Sequence, residues 1–374
     1  MRSRGKVLFI ATIDQHILKF HLPYLKWFQE NNFETHVASF GNSNIPFCDV
    51  KHDVAIQRSP YSIKNITAYK KLKEIISKEN FTIIHGHTPM GGVLARLCSI
   101  GNRKKGTKVF YTPHGFYFYK GSPLKYWLLY YPVEIFLSRY TDVIITINSE
   151  DYELVKSSGF KSKEVYKIDG IGVKSERYKP VTEIEKQGLR HKLGYPTNEF
   201  IMIYVAEFIH RKNHKFIIDS AVLLKNKVQS FKIIFAGRGP LIDQMKKYCN
   251  AKGLEKYIDF LGFREDIPDL INISDIGISS SKSEGLPIGI VEEMFAGIPV
   301  IVSDERGHRE VVNHGLNGFI FGQSNSKEFI DYILKFYYDR DLISQLGKNA
   351  HSSSQKFSVD ASLDKLSTIY MQYI

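Results

Sequence analysis

Residues 281–302 read SKSEGLPIGIVEEMFAGIPVIV, a stretch that predicts a loop, a helix over 287–296 and a buried strand over 299–302. A proline at the first helical position costs no hydrogen bond there. The start of the helix offers free N–H groups and the positive end of its dipole, which suit a pyrophosphate. Glu284 precedes the helix and Glu292 lies in its second turn, so both carboxylates can face one ligand. The simpler alternative is a capped surface helix with two solvated glutamates.

Short apolar runs alternate with helical patterns on both sides of this stretch. In the first half the predicted strands are 6–11, 35–39, 82–85, 108–112 and 143–147, and the predicted helices are 16–30, 66–78, 91–100 and 124–139. In the second half the strands are 200–206, 231–236, 257–261, 276–279 and 299–302, and the helices are 213–226, 241–252 and 287–296. Apolar strands that alternate with helices are typical of an α/β fold with parallel sheets covered on both faces.

The chain has 374 residues, which is more than one hydrophobic core usually supports. We expect a first domain over 1–175, a second over 176–358 and a helix over 359–374 that packs back on the first domain. Residues 174–198 are charged and contain two prolines, so they are the predicted linker. Ligands of open α/β sheets bind beyond the carboxyl ends of the strands, and the cleft between two such domains is a preferred site.

The chain is basic, with a formal net charge of +12 and a pI of about 9.3. This excess indicates an anionic partner such as nucleic acid, a phosphorylated small molecule or an anionic membrane, although a basic surface without a target is the alternative. Cys48, Cys98 and Cys249 are far apart, which argues against disulfides or a zinc site and fits a reducing cytoplasm. The N-terminus is read as a first strand rather than a signal peptide, and no apolar run is long enough to cross a bilayer.

The segment from Glu284 to Pro287, the second glutamate Glu292 and the Gly-Ile-Pro-Val of 297–300 resemble the signature of family 4 glycosyltransferases. The resemblance implies the GT-B fold, with two Rossmann-like domains whose parallel sheets face a central cleft. It also implies transfer of a sugar from a nucleotide donor with retention of configuration, without a metal or another cofactor. By the same resemblance, Glu284 lies near the donor sugar and Glu292 holds the ribose.

Other loops of the second domain support the resemblance. In 205–215 Lys212 matches a lysine that binds the donor pyrophosphate, whereas Glu207 stands where the family has an arginine, and Arg211 or Arg238 could compensate. Taken alone, without the predicted strand that precedes it, the segment HRKNHK would indicate only a basic, solvated loop. The remaining residues that we assign to donor binding are Gly237, Gly239, Arg264, Gly285, Leu286 and Pro287.

The first domain is expected to hold the acceptor side. His114 follows a strand directly, and the resemblance places a histidine at this point against the donor sugar, so we predict that His114 and Glu284 are catalytic. His87 is the second candidate. A core or capping histidine is the simpler reading of either residue. The other predicted acceptor-side residues are Thr12, His16, Gly91 and Gly92.

Four segments of the first domain resemble the branch that builds bacterial exopolysaccharide and capsule: 12–23, 85–92, 114–127 and 138–152. In that branch the acceptor is a sugar on a polyprenyl pyrophosphate. Residues 117–139 combine aromatic and aliphatic residues with two lysines, which suits a helix on an anionic membrane. We therefore expect a cytoplasmic protein, peripheral on the inner face of the membrane. A core helix with a few lysines outside is the alternative.

Three other functions remain open at this point. A UDP-sugar epimerase on the same fold would use the same glutamates and lysine. A nucleic-acid-binding protein would explain the charge, but the chain has no helix-turn-helix, zinc or RNP signature, and we expect no nucleic-acid partner. An inactive scaffold would be favoured by the loss of Glu284, which is present.

Overall fold

The computed structural model describes residues 4–374. It divides into two compact units, which are described separately: unit 1 is Met1–Gly172 together with Val359–Ile374, and unit 2 is Val173–Ser358. The division falls close to the boundary after residue 175 that the sequence indicates.

Unit 1 is built on a parallel sheet of seven strands in the order β3-β2-β1-β4-β5-β6-β7. The strands are β1 Gly5–Ile13, β2 Phe33–Phe40, β3 Val50–Asp53, β4 Phe81–His87, β5 Lys108–Thr112, β6 Val143–Thr146 and β7 Glu164–Lys167. All five predicted strands of this half are confirmed. The two edge strands, β3 and β7, were not predicted. Both are short, and none of their residues is fully buried.

Eight helices of unit 1 connect these strands. They are α1 Asp14–Phe20, α2 Leu22–Glu30, α3 Lys64–Lys78, α4 Pro89–Cys98, α5 Ile100–Arg103, α6 Leu124–Leu129, α7 Tyr131–Ser138 and α8 Ser149–Ser157. The single helix expected over 16–30 is divided at His21, and the one expected over 124–139 is divided at Tyr130. A proline lies near the start of both α2 and α7. Proline has no N–H to donate to the preceding turn, so it is tolerated at the start of a helix but would interrupt one continuous helix.

Unit 2 contains a parallel sheet of six strands in the order β10-β9-β8-β11-β12-β13. The strands are β8 Phe200–Val205, β9 Phe231–Ala236, β10 Ile258–Gly262, β11 Ile276–Ser279, β12 Val300–Ser303 and β13 Gly318–Phe321. Separate apolar clusters pack on the two faces of this sheet, as expected for a parallel sheet whose faces are both covered by helices.

The helices of unit 2 begin inside the segment that the sequence indicated as a linker. They are α9 Glu183–Leu193, α10 His214–Leu224, α11 Ile242–Ala251, α12 Ile267–Asn272, α13 Ile288–Phe295, α14 Arg306–Val311, α15 Ser326–Tyr338 and α16 Arg340–Ser354. The linker prediction was wrong because α9 is a capped helix, with Thr182 and Glu185 forming a capping box. Arg190 on α9 is buried and donates to Asp275 over 3.0 Å.

The last helix, α17 Val359–Met371, belongs to unit 1 and contacts α2. Its Tyr370 is fully buried, and the hydroxyl lies 2.6 Å from His85 Nδ1. In the part of the chain that the structure describes, no helix is both long enough and apolar enough to traverse a bilayer.

Candidate active site

Glu284 is held in unit 2 by two cations from the loop that follows β8. Lys212 Nζ donates to its Oε1 over 2.5 Å, and Arg211 Nη1 donates to its Oε2 over 2.7 Å. The carboxylate is buried, whereas the side chain of Arg211 is 45% exposed. The structure thus brings the two predicted donor cations and the predicted catalytic glutamate to one point.

The charge state of Glu284 follows from these contacts. Burial alone would raise the pKa of its carboxyl group, but Lys212 and Arg211 outweigh burial and lower the pKa to about 2. The group is therefore a carboxylate at neutral pH. A permanently ionised carboxylate can stabilise positive charge or orient a hydroxyl group, but it cannot serve as a general acid.

Three residues that sequence reasoning missed fix the backbone and carboxylate of Glu284. The hydroxyl group of Ser281 donates to Oε1, and the backbone N–H of Glu284 donates to Glu305 Oε2 over 2.7 Å. Glu305 also caps α14. A side chain at Gly307 would meet Glu284 Cβ at 2.7 Å, so only glycine fits this approach. Nothing in the local sequence links 305–307 to 284, since the contact arises from the neighbouring strands β11 and β12.

The loop after β9 lies against the loop after β8. A Cβ at Gly237 would meet the carbonyl oxygen of Ala206 at 1.9 Å, and one at Gly239 would meet that of Phe208 at 2.6 Å. These glycines therefore allow two backbone segments to come together, which is a packing role that the sequence did not indicate. Their predicted contact with the donor remains a prediction.

Arg211 and Arg238, the two possible substitutes for the missing family arginine, and Arg264, predicted to bind the donor elsewhere, differ in their surroundings. Arg238 is exposed and stacks over the ring of Phe263 at 5.1 Å. Arg264 forms two hydrogen bonds with Asp266, of 2.7 and 2.5 Å. Glu207 is exposed. Arg211 is thus the arginine that the structure places beside Lys212.

The helix after Glu284 starts one residue later than expected. Pro287 is the residue before α13, with φ −82° and ψ 82°, and is not its first helical residue. Glu292 lies in the second turn and contacts Tyr178, whose pKa is raised by burial and by this glutamate. The adjacent Glu293 is fully buried, and burial together with Glu292 raises the pKa of Glu293 well above its usual range. Gly285 and Leu286, in the loop between Glu284 and α13, are half-buried.

The predicted histidines of unit 1 come together at the carboxyl ends of β4 and β5. His114 Nε2 lies 3.2 Å from His16 Nε2, and its ring centroid lies 5.6 Å from that of His87. Burial and the neighbouring histidines lower the pKa of His114 well below its ordinary value, so the ring is a neutral imidazole. A neutral imidazole can accept a proton or a hydrogen bond.

The other predicted acceptor-side residues position the start of α4. Thr12 Oγ1 lies 2.8 Å from Thr88 Oγ1, which joins β1 to the turn before α4. A Cβ at Gly91 would meet Thr88 Oγ1 at 2.8 Å, and one at Gly92 would meet the ring of Tyr111 at 2.1 Å. Both glycines are buried, so the structure shows them as packing residues, and their place at an acceptor stays a prediction.

A cavity of about 700 Å³ opens in unit 1 beside these residues. Its polar lining includes Thr12, His16, Arg58 and Thr88, and its apolar and aromatic lining includes Phe20, Tyr61, Tyr117, Leu129 and Val133. Arg58 was not singled out in the sequence because it lies outside every recognised motif. The charged lining residues are Arg58 and the carboxylate Glu134, which is already paired with Arg96. The cavity thus combines the positive charge of Arg58 with a mostly apolar wall, which suits an amphipathic anion.

The sequence matches two glycosyltransferase family models and resembles named glycosyltransferases. The family described as "Glycosyl transferases group 1" matches residues 185–353, and "Glycosyltransferase Family 4" matches residues 24–168. EpsD of Bacillus subtilis, which is named as a glycosyltransferase, is 42% identical over 99% of this chain and 97% of its own.

Two further proteins resemble the chain more distantly. An Escherichia coli protein named UDP-Gal:alpha-D-GlcNAc-diphosphoundecaprenol alpha-1,3-galactosyltransferase is 27% identical over 84% of this chain and 83% of its own. Anabaena Alr3699/HepE, solved in complex with UDP and glucose, has a TM-score of 0.80 at 20% identity and covers 99% of this chain and 100% of its own. The latter likeness supports the GT-B fold. The epimerase alternative receives no support from these proteins.

Proposed function

This chain belongs to the group 1 and family 4 glycosyltransferases, and we propose that it moves a sugar from a UDP-sugar, with retention of configuration, to a saccharide on a polyprenyl diphosphate. The observation that carries the proposal is the buried carboxylate of Glu284 between Lys212 and Arg211. The E. coli relative is named for a UDP-sugar and a diphosphoundecaprenol acceptor, which supports this choice of substrates.

The donor is proposed to bind to unit 2. Arg211 and Lys212 can accept a diphosphate as an additional anionic partner, since both lie at the carboxyl end of β8 and Arg211 is partly exposed. The free N–H groups at the start of α13 can also donate hydrogen bonds to the diphosphate. Cations beside a diphosphate stabilise it as it departs, so the reaction needs no metal for this step.

Glu292 is proposed to hold the ribose. We expect Glu292→Ala to weaken UDP binding by about 10- to 100-fold, because a hydrogen bond to a charged group contributes about 1.5–3 kcal/mol. Calorimetry with UDP and a transfer assay with UDP-sugars measure this. Glu255→Ala, at an exposed glutamate of the same unit, is the control. Unchanged affinity in Glu292→Ala would refute the ribose assignment, and absence of UDP binding by the wild-type chain would refute the proposed donor.

The acceptor is proposed to enter the 700 Å³ cavity of unit 1. Arg58 offers a positive charge to a lipid diphosphate, and the aromatic and aliphatic wall suits the first part of a polyprenyl chain. Thr12, His16 and Thr88 are the polar groups available to a saccharide. His114 is proposed to act on turnover rather than on donor affinity.

The surface beside this cavity supports peripheral membrane contact. Helix α6 has no fully buried residue, although Trp127 packs against the aromatic core of unit 1, and this surface position favours membrane contact over a core helix for this part of 117–139. The exposed apolar residues on α6 and α7 are Leu124, Leu128, Leu129, Val133 and Phe136. Lys120 and Lys125 are exposed on the same segment. Apolar residues beside lysines are typical of segments that lie on anionic lipid.

Membrane contact has a direct test in flotation with anionic liposomes. We expect a Leu124→Gln/Leu128→Gln variant to lose at least tenfold in partition coefficient, because each leucine that enters lipid contributes about 1.5–3 kcal/mol. An Ile184→Gln/Tyr338→Gln variant removes two equally exposed apolar residues from unit 2 and should bind like the wild type. Failure of the wild-type chain to float at low salt would end the proposal.

A further inference from the structure

Five histidine rings form one cluster in unit 1. His16 lies on α1, His21 between α1 and α2, His85 and His87 on β4, and His114 beyond β5. The ring centroids of His21 and His87 lie 3.8 Å apart, those of His85 and His87 4.0 Å apart, and those of His16 and His114 4.8 Å apart. The chain has thirteen histidines, and this concentration is not explained by the fold alone, since apolar side chains would fill the same space.

Two members of the cluster lack hydrogen-bond partners although they are buried. His21 and His87 are each 1% exposed, and neither ring nitrogen of either residue has a partner within residues 4–374. His85 differs, because Tyr370 and Thr112 occupy both of its ring nitrogens. Buried polar atoms in folded proteins are nearly always paired with protein, water or a bound group. The unpaired nitrogens therefore point to an occupant.

We propose that His16, His21 and His114 form a binding site for a divalent transition-metal ion of the zinc type. One nitrogen from each of the three residues can be chosen so that all three atoms lie within 4.8 Å of one another. Zn²⁺ binds histidine nitrogen at about 2.0–2.1 Å in tetrahedral geometry, which places two ligand nitrogens about 3.3 Å apart. His16 Nε2 and His114 Nε2, which are within hydrogen-bond distance of each other, lie 3.2 Å apart. The limit of 4.8 Å for all three nitrogens is wider than the tetrahedral spacing, so the rings must draw together when the ion binds.

The identity of the ligands selects the class of ion. The three candidate ligands are imidazoles without a carboxylate or a thiolate, and imidazole suits Zn²⁺, Cu²⁺ and Ni²⁺ rather than Mg²⁺ or Ca²⁺. His16 also lines the 700 Å³ cavity, and both His16 and His114 are only partly buried. The path of entry for an ion therefore runs from the cavity past His16.

The ion is assigned no part in sugar transfer, and its binding is measured without donor or acceptor. Failure of this inference is thereby distinguishable from failure of the proposed function. An ion bound by the three histidines would occupy a ring nitrogen of His114. If His114 also acts on turnover as proposed, added Zn²⁺ should inhibit sugar transfer.

The test uses the full chain without a histidine tag, stripped with a chelator and then titrated with Co²⁺. We expect one Co²⁺ per chain, visible absorption bands of tetrahedral intensity, and loss of these bands when Zn²⁺ displaces the Co²⁺. His16→Ala and His114→Ala should each weaken binding by tenfold or more. His21→Ala should weaken binding in the same way. Because His21 is buried, the results for His16→Ala and His114→Ala decide the question if the His21→Ala variant does not fold.

A second histidine pair provides a matched control. His36 Nδ1 and His52 Nε2 lie 3.0 Å apart elsewhere in unit 1, and His52→Ala should leave the affinity and the absorption bands unchanged. The inference is overturned if the wild-type chain binds no Co²⁺ or Zn²⁺ at micromolar concentration. It is equally overturned if binding is the same in His16→Ala and His114→Ala as in the wild type.

Discussion

Glu284→Gln lowers the turnover of sugar transfer by about 10²- to 10³-fold, which is the expected effect of removing one preorganised charge from a buried site. The amide has nearly the shape of the carboxylate and can still accept from Ser281. It cannot neutralise Lys212 and Arg211, which both donate to the carboxylate at 2.5–2.7 Å. The variant therefore isolates the charge of Glu284 from its packing.

The measurement is kcat with saturating UDP-sugar, together with UDP affinity by calorimetry. We expect UDP affinity to change much less than kcat, because Lys212 and Arg211 remain free to bind the diphosphate. Ser281→Ala removes one hydrogen bond to the same oxygen and is the matched control, with an expected loss of about fivefold to tenfold. A kcat of Glu284→Gln within threefold of the wild type would contradict a catalytic role for this carboxylate.

The sheets were largely predictable because their central strands are buried runs of apolar residues. The predicted bounds of β5, β9 and β11 agree with the structure. The strands that were missed, β3, β7 and β13, all lie at sheet edges. β3 and β7 have four residues each and none of them is buried, so their sequences carry little of the apolar signal on which the prediction depends. β13 is apolar and mostly buried, but its four residues are too few to separate a strand from a loop.

The site was predictable where a motif places its residues on one loop and not where folding joins distant segments. Glu284 and Glu292 lie on one loop and the helix that follows it, whereas Lys212 was assigned by the resemblance to family 4 glycosyltransferases. Glu305 could not be found, since its hydrogen bond to the backbone of Glu284 depends on the pairing of β11 with β12. His21 was missed for a similar reason: its neighbours His87 and His114 come from β4 and the loop after β5.

The capsule-branch resemblance covers the first domain, and there the structure adds a buried ion pair that no motif revealed. Arg96 on α4 is fully buried and forms two hydrogen bonds, of 2.7 and 3.2 Å, with Glu134 on α7. The Arg96 guanidinium lies 3.9 Å from the ring centroid of Tyr111, whose hydroxyl donates to Glu134 over 3.1 Å. Glu134 also lines the cavity, so this pair joins the wall of the cavity to the core.

Arg96→Met is expected to destabilise unit 1 by about 3–5 kcal/mol, because it leaves the carboxylate of Glu134 buried without a cation. Guanidinium unfolding followed by tryptophan fluorescence measures this effect. Both tryptophans of the chain, Trp27 and Trp127, lie in unit 1, so the signal reports on that unit even if unit 2 unfolds separately.

Two further variants separate the buried charge from the loss of packing. Arg96→Met/Glu134→Leu removes both charges and should recover most of the lost stability, since a buried ion pair is often replaceable by apolar residues of similar size. Lys78→Met breaks the exposed pair between Lys78 and Glu74, whose side chains are 70% and 62% exposed, and should leave the stability of unit 1 nearly unchanged, because water screens an exposed pair. If Arg96→Met were as mild as Lys78→Met, or if the double variant were no more stable than Arg96→Met, the lost stability would not come from an uncompensated charge at Glu134.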